Sequence, residues 1–164
     1  MKRNLSAHCP LLRLPPIAML HQRQKKATCA VQALNNAAGE ALLTIDEALA
    51  ASHRLNECVG TSRHGDAKGN FSIATIQAAL QARYGRQYVL RHIKKLNERK
   101  APKWLSKQTE GRFMVMEYLR GKNSYHWIAV HSAVKRVIDG ALKHPYAVRK
   151  LTEKSISKIY RLEG

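Results

Sequence analysis

The sequence predicts an α+β fold in which helices come first and an antiparallel sheet follows. Helical spacing of apolar residues and helix-capping residues dominate the chain up to Gly85, and strand-like apolar segments dominate after it. No internal repeat or low-complexity linker divides the 164 residues, and the 45% apolar content is typical of a globular protein. We therefore expect a basic, proline-containing arm over residues 1–22 and one domain over residues 23–164.

The first helix is predicted from Cys29 to about Ala38. Thr28 is of a residue type that caps helix N-termini, and Gly39 is placed to end the helix. A narrow apolar face follows the helical spacing and suits close packing against a sheet. It consists of Ala30, Ala33, Leu34, Ala37 and Ala38.

Two more helices are predicted before the sheet. The second begins at the capping box "TIDE", in which Thr44 caps the helix and the side chain of Glu47, three residues later, bonds back to the backbone of Thr44. It continues through "ALAASHRL". The segment 56–69 has the composition of a flexible loop. The third helix, "FSIATIQAALQARYG", ends at Gly85.

Strand patterns fill the rest of the chain. The segment "QYVLRHI" is a candidate first strand, and "PKWLSK" is a short helix with proline in its first turn. Three strands are then expected at short spacing: "RFMVMEYL", "HWIAVHS" and "KRVIDG". The first two are almost continuously apolar, as in a sheet covered on both faces. The last segment, "LTEKSISKIYRLEG", predicts a short helix and a closing strand.

The net charge of +18, from 29 Lys and Arg against 11 Asp and Glu, is the most unusual bulk property. It exceeds what solubility asks of a small domain. Contact with a polyanion, either nucleic acid or a nucleoprotein assembly, is the favoured interpretation, and a solvated basic surface is the alternative. The sequence has no zinc finger, aromatic ribonucleoprotein signature or RGG tract that would name the partner.

Three widely spaced cysteines argue against a disulfide framework and favour a reducing, intracellular compartment, with the cytoplasm or nucleus expected. The first 28 residues carry no acidic side chain, so an organellar transit peptide is an alternative. The apolar runs are too short to cross a bilayer, and we expect no membrane partner. The histidines and cysteines form no HxxxH or CxxC pair, so no metal site is expected.

Cys29 is the candidate nucleophile. At a helix N-terminus, the unsatisfied backbone amides and the positive end of the helix dipole favour a thiolate over a thiol. The plain alternative is a small apolar residue that happens to begin a helix, which is what most free cysteines in helices are. A base and an orienting group elsewhere in the chain would favour the nucleophile.

The segment "YHWIAVHSAVKRVIDG" predicts both of those groups. If a hairpin has 132–133 as its turn, Ile128 lies opposite Val137 and His126 lies opposite Asp139, with β-carbons about 5 Å apart on one face of the sheet. An aspartate that bonds one imidazole nitrogen and leaves the other for a thiol is the orienting half of a triad. An ordinary cross-strand His–Asp pair is the alternative.

Gln24 stands five residues before Cys29 and is able to reach over the helix start. Its side-chain amide and the backbone amide of Cys29 would form an oxyanion hole for a tetrahedral intermediate. A surface glutamine in a polar loop is an equally good interpretation.

Together these residues resemble a known family. The pattern "Q-x4-C-A-x-Q-x-LNN", the pair "HW", the later "VIDG" strand and "GNFSIATIQAAL" are similar to the Josephin domain, a family of papain-like cysteine proteases that remove ubiquitin. The resemblance extends from His21 to Gly164. It implies a papain-like fold with N-terminal helices packed on an antiparallel sheet. The Asn35–Asn36 pair within the pattern is expected to have a structural role.

The resemblance implies that Cys29 is the nucleophile, that His126 is the general base and then the general acid, and that Asp139 orients the imidazole. Gln24 would build the oxyanion hole. Trp127, next to the histidine, would shield the ion pair from water or would be a core residue. The implied reaction hydrolyses isopeptide bonds of ubiquitin or a ubiquitin-like protein, with no metal or organic cofactor.

A second function class stays open. The chain would then be a basic structural subunit of a large nucleoprotein assembly, such as a virion or ribosome, on a Josephin-like fold with activity retained or vestigial. The charge of +18 supports this class, and it also repels the tail of ubiquitin, which has arginines just before its terminal glycines. The complete set of nucleophile, base and orienting group favours the enzyme.

Overall fold

Four α-helices and a six-stranded antiparallel sheet form the described part of the chain. The computed structural model describes residues 28–66, 68–94, 96, 99–119 and 124–164, without the side chains of residues 152 and 153. The helices are α1 (Cys29–Ala38), α2 (Ile45–Val59), α3 (Ile73–Tyr84) and α4 (Ala101–Lys107). The strands are β1 (Val89–His92), β2 (Arg112–Leu119), β3 (Ser124–His131), β4 (Arg136–Ile138), β5 (Tyr146–Ala147) and β6 (Ile156–Glu163), and a 3-10 helix (Val148–Glu153) precedes β6. The predicted α+β class is confirmed, whereas the predicted arm lies outside the described residues.

The sheet has the strand order β1-β6-β2-β3-β4-β5, so the C-terminal strand β6 lies between β1 and β2. Helices α1, α2 and α3 share one core with Met114, Ala129 and Ile138 of the sheet. Helix α4 and the 3-10 helix share a second core with Val115 and Ile128. The continuous apolar runs of β2 and β3 therefore alternate between two cores, as predicted. None of the described helices is long and apolar enough to span a membrane.

Helix α1 has the predicted bounds, but Thr28 does not cap it. The backbone of Thr28 has φ −92° and ψ 26°, outside the extended conformation in which a hydroxyl reaches the first free amides of a helix. Its Oγ1 instead donates to Oε1 of Gln32 at 2.7 Å. Asn35 has the expected structural role, because its side chain bonds both the carbonyl and the N–H of Leu43, at 2.8 and 3.0 Å.

Helix α2 begins at the predicted capping box and ends later than predicted. The N–H of Glu47 donates to Oγ1 of Thr44 at 3.2 Å, and the N–H of Thr44 donates to Oε2 of Glu47 at 2.8 Å. The helix continues past residue 55 to Val59, because Gly60, at φ 60°, supplies the left-handed residue that ends it.

The connection from α2 to α3 is tied by side-chain hydrogen bonds, which its loop composition did not predict. The side-chain amide of Asn56 donates to the carbonyl of Gly65, and the N–H of His64 donates to Oδ1 of Asn56, both at 3.1 Å. Helix α3 begins after Ser72, whose Oγ accepts the N–H of Thr75 at 3.2 Å. The predicted start at the phenylalanine was therefore two residues too early, and the predicted end at Gly85 is confirmed.

The hairpin of β3 and β4 has a different register from the predicted one. Val130, rather than Ile128, lies opposite Val137. The turn spans residues 132–135 instead of two residues, and Lys135 has the left-handed φ of 53° within it. The predicted register was therefore wrong by two residues.

A register error of two residues leaves every side chain on its original face, because the side-chain period of a strand is two. His126 and Asp139 become diagonal neighbours instead of direct ones, which polar side chains of this length still bridge. The contact between His126 and Asp139 is therefore possible in both registers.

Candidate active site

His126 and Asp139 form a buried pair at one end of the sheet. Nε2 of His126 lies 2.7 Å from Oδ1 of Asp139, and the two side chains are 11% and 6% exposed. The same oxygen accepts the backbone N–H of Ala141 at 2.9 Å. Burial raises the pKa of Asp139, but the hydrogen bond and charge of His126, together with the Ala141 amide, hold this pKa below its usual value. The carboxylate is therefore charged and fixes the orientation of the ring.

Cys29, the first residue of α1, completes the group. Its side chain is partly exposed and lies near enough to His126 to act on the pKa of the ring. Because Nε2 of the ring is engaged by Asp139, Nδ1 is the nitrogen left for the thiol. Burial lowers the pKa of His126, but the hydrogen bonds and charges of Asp139 and Cys29 outweigh it and raise this pKa to about 9. An imidazolium beside a cysteine stabilises the thiolate form.

The position of Cys29 follows from how α1 is held on β3. Every residue of α1 after the cysteine is buried. His131, five residues after His126 on the same strand, places its Nε2 2.6 Å from the carbonyl of Asn36. Burial and the charge of Arg112 lower the pKa of His131, so the ring is neutral at pH 7 and donates from Nε2. Two histidines of β3 thus contact the two ends of α1, one at the thiol and one at the backbone.

A groove of about 400 Å³ opens beside Cys29. Met116, Trp127 and Tyr160 supply apolar surface from the sheet, and Phe71 supplies it from the connection before α3. A substrate segment in this groove would lie against the sulfur, on the partly exposed side of the nucleophile.

Trp127 is a core residue that also lines this groove. It is 8% exposed, belongs to the core shared with α1, and lies with its ring centre 5.9 Å from that of Tyr160. The core interpretation is therefore confirmed, and the shielding of the ion pair stays a prediction. Gln24 lies outside the described residues, so the oxyanion-hole role also stays a prediction.

The sequence did not point to a second carboxylate behind the pair. Glu117 of β2 lies opposite His126 on β3, is 4% exposed, and bonds Nζ of Lys154 through Oε1 at 3.0 Å. Its Oε2 and the hydroxyl of Tyr146 are buried with no hydrogen-bond partner among the described residues. Burial, together with the charges of Asp139 and Glu117, raises the pKa of that tyrosine. The available signal was a lone glutamate inside the apolar run "RFMVMEYL".

Neither family models nor curated proteins give a match to this chain. The resemblance to Josephin domains therefore rests on the residues of the chain itself. Among the described residues, no group of three or more His, Cys, Asp or Glu side chains is arranged to hold a metal ion.

Proposed function

We propose that this chain is a cysteine-type isopeptidase with a Josephin-like, papain-like fold, which hydrolyses amide bonds at the C-terminus of ubiquitin or a ubiquitin-like protein. The observation that carries the proposal is the grouping of Cys29 beside the His126 ring with the 2.7 Å hydrogen bond between that ring and Asp139. Each member stands where its role requires: the sulfur at a helix N-terminus, the ring between sulfur and carboxylate, and the carboxylate charged and buried.

In the first half of the reaction, the thiolate of Cys29 attacks the carbonyl carbon of the scissile amide. The tetrahedral intermediate collapses to a thioester as the C–N bond breaks, and the His126 imidazolium gives its Nδ1 proton to the leaving lysine amine. The backbone amide of Cys29 would donate to the developing oxyanion, and Gln24 would add a second donor.

In the second half, His126 acts as a base. It takes a proton from water, the resulting hydroxide attacks the thioester, and the carboxylate of the ubiquitin tail leaves while the sulfur returns to its thiolate form. Asp139 keeps Nε2 occupied throughout, so the ring presents the same nitrogen to both proton transfers.

A second candidate function is supported by the net charge of +18. We propose contact of the basic surface with a polyanion, either nucleic acid or a nucleoprotein assembly such as a virion or ribosome, in a reducing intracellular compartment. A structural subunit of that kind needs no reactive thiol, so the two functions separate on the behaviour of Cys29.

A ubiquitin probe with a C-terminal electrophile tests the enzyme. We expect one probe molecule to attach covalently at Cys29, as mapped by mass spectrometry, and Cys29→Ala to abolish the adduct. Cys58, an exposed free thiol, provides the matched control, because Cys58→Ala should leave labelling unchanged. Absence of an adduct at Cys29, together with salt-sensitive binding to RNA or DNA, would favour the structural subunit instead.

A further inference from the structure

The charged side chains that line the groove beside Cys29 are all basic. Arg63, from the connection between α2 and α3, and Lys158, from β6, both line it and both are exposed. Neither forms a salt bridge with a carboxylate of the described residues. None of the described residues that line the groove is acidic.

The two cations flank an apolar floor. Lys158 lies opposite Met116, and Met116 lies opposite Trp127, so these three residues form one row across β6, β2 and β3 on a single face of the sheet. Cys29 packs against the core on this same face. Arg63 enters from the connection outside the sheet, so charge and apolar surface are both presented to a segment that reaches the sulfur.

The carboxylate of the same connection is already engaged. Asp66 accepts the N–H of Lys68 at 2.9 Å and the side-chain amide of Asn70 at 2.8 Å, and it does not line the groove. The positive charge of Arg63 is therefore left for an incoming group.

We propose that the groove takes an acidic peptide segment, with carboxylate side chains and an apolar side chain in the residues that immediately precede the scissile carbonyl. This inference rests on the proposed hydrolase and names the substrate class of the same site. The carboxylates lie against Arg63 and Lys158, and the apolar side chain lies on Met116 and Trp127. A peptide fits better than a phosphate backbone, because the groove combines an apolar floor with a nucleophile that acts on acyl groups. The arginines of the ubiquitin tail would meet like charges here, so a ubiquitin-like tail without them is the better substrate.

Two matched probes test this assignment on the full chain. One is the ubiquitin electrophile with its natural basic tail, and the other has the tail arginines replaced by glutamates. We expect the acidic probe to label Cys29 faster by at least about fivefold, from two solvent-exposed ion pairs gained and two like-charge contacts removed. The ratio should shrink when salt is raised from about 0.05 M to 0.5 M, since exposed charges are screened.

Charge reversal in the groove supplies the matched controls. The double variant Arg63→Glu with Lys158→Glu should invert the preference toward the basic probe, whereas Lys103→Glu, an exposed charge reversal on α4 outside the groove, should leave the ratio unchanged.

Equal labelling by both probes, or faster labelling by the basic one, would overturn the acidic assignment and leave the hydrolase intact. Failure of both probes to label Cys29 would overturn both proposals. Equal suppression of both probes by a single-stranded RNA, with no tail preference, would assign the cations to nucleic acid and overturn the peptide assignment.

Discussion

Replacing Asp139 by asparagine separates the charge of the site from its shape. Asparagine keeps an oxygen that accepts from Nε2 of His126, but it removes the negative charge that lies 2.7 Å from the ring. Asp139 and Cys29 together raise the pKa of His126 to about 9 from its ordinary value of 6.5. That difference corresponds to a preference for imidazolium on the order of 3 kcal/mol, shared between the two partners. The hydrogen bond of Asp139 is the largest of the interactions that raise this pKa, so loss of the carboxylate should remove much of that preference.

We therefore expect Asp139→Asn to lower the pKa of His126 by at least about one pH unit and to slow hydrolysis by about 100-fold or more, because the proton donor is then depleted at neutral pH. Two-dimensional NMR of the imidazole C–H groups against pH measures the first effect, and turnover of a ubiquitin substrate measures the second. Asp46→Asn, which removes an exposed carboxylate in the first turn of α2, is the control and should leave both unchanged. A titration midpoint of His126 that stays near 9 in Asp139→Asn would refute the reasoning.

The same pair makes stability depend on pH in a defined direction. The folded-state pKa of His126 is raised, so its contribution to the free energy of unfolding is fully present below about 6.5 and is lost as pH rises through about 9. The pKa of Asp139 is lowered, so its contribution is present above about 3.8 and is lost as pH falls below that value. The difference in Tm between the wild type and Asp139→Asn should therefore be greatest between about pH 4 and 6.5. A difference that grows from pH 7 to 10 would contradict the assignment.

Four further substitutions test the fold, each by urea denaturation at pH 7. Thr44→Ala should lower the free energy of unfolding by about 1 kcal/mol, since it removes the capping-box hydroxyl; no loss would mean that the cap contributes nothing. Asn35→Ala should cost about 2–4 kcal/mol, because it leaves the buried N–H and carbonyl of Leu43 without their side-chain partner, and a cost under about 1 kcal/mol would indicate that the loop rearranges. Lys154→Met should lower the free energy of unfolding more than Glu117→Gln does. The side chain of Glu117 is only 6% exposed and would be left as an unpaired buried charge, whereas that of Lys154 is 32% exposed and able to reach water. The reverse order would show that the lysine is the buried partner.

Local signals in the sequence were sufficient for much of the fold. Gly39 and Gly85 end helices where predicted, because a left-handed residue at the end of a helix favours glycine whatever surrounds it. Lys135 also adopts a positive φ in the β3–β4 turn, at a position where glycine or asparagine would be expected. The length of this turn could therefore not be predicted from composition. The contact of His126 with Asp139 was still predictable, because it depends on which face the residues share and not on their direct opposition.

The remaining part of the site depends on burial, which no motif encodes. A buried charge that loses its partner is strongly destabilising, so a carboxylate buried near the pair of His126 and Asp139 needs a partner of its own. Glu117 lies opposite the same histidine, and Nζ of Lys154 pairs with its Oε1 at 3.0 Å. The charge of that lysine also helps to lower the pKa of Asp139, so one cation acts on both acids. A search for nucleophile, base and orienting group finds three residues, whereas the charge of the orienting carboxylate here also depends on Lys154. Removing the charge of the lysine before β6 should therefore raise the pKa of Asp139, the carboxylate that bonds the histidine.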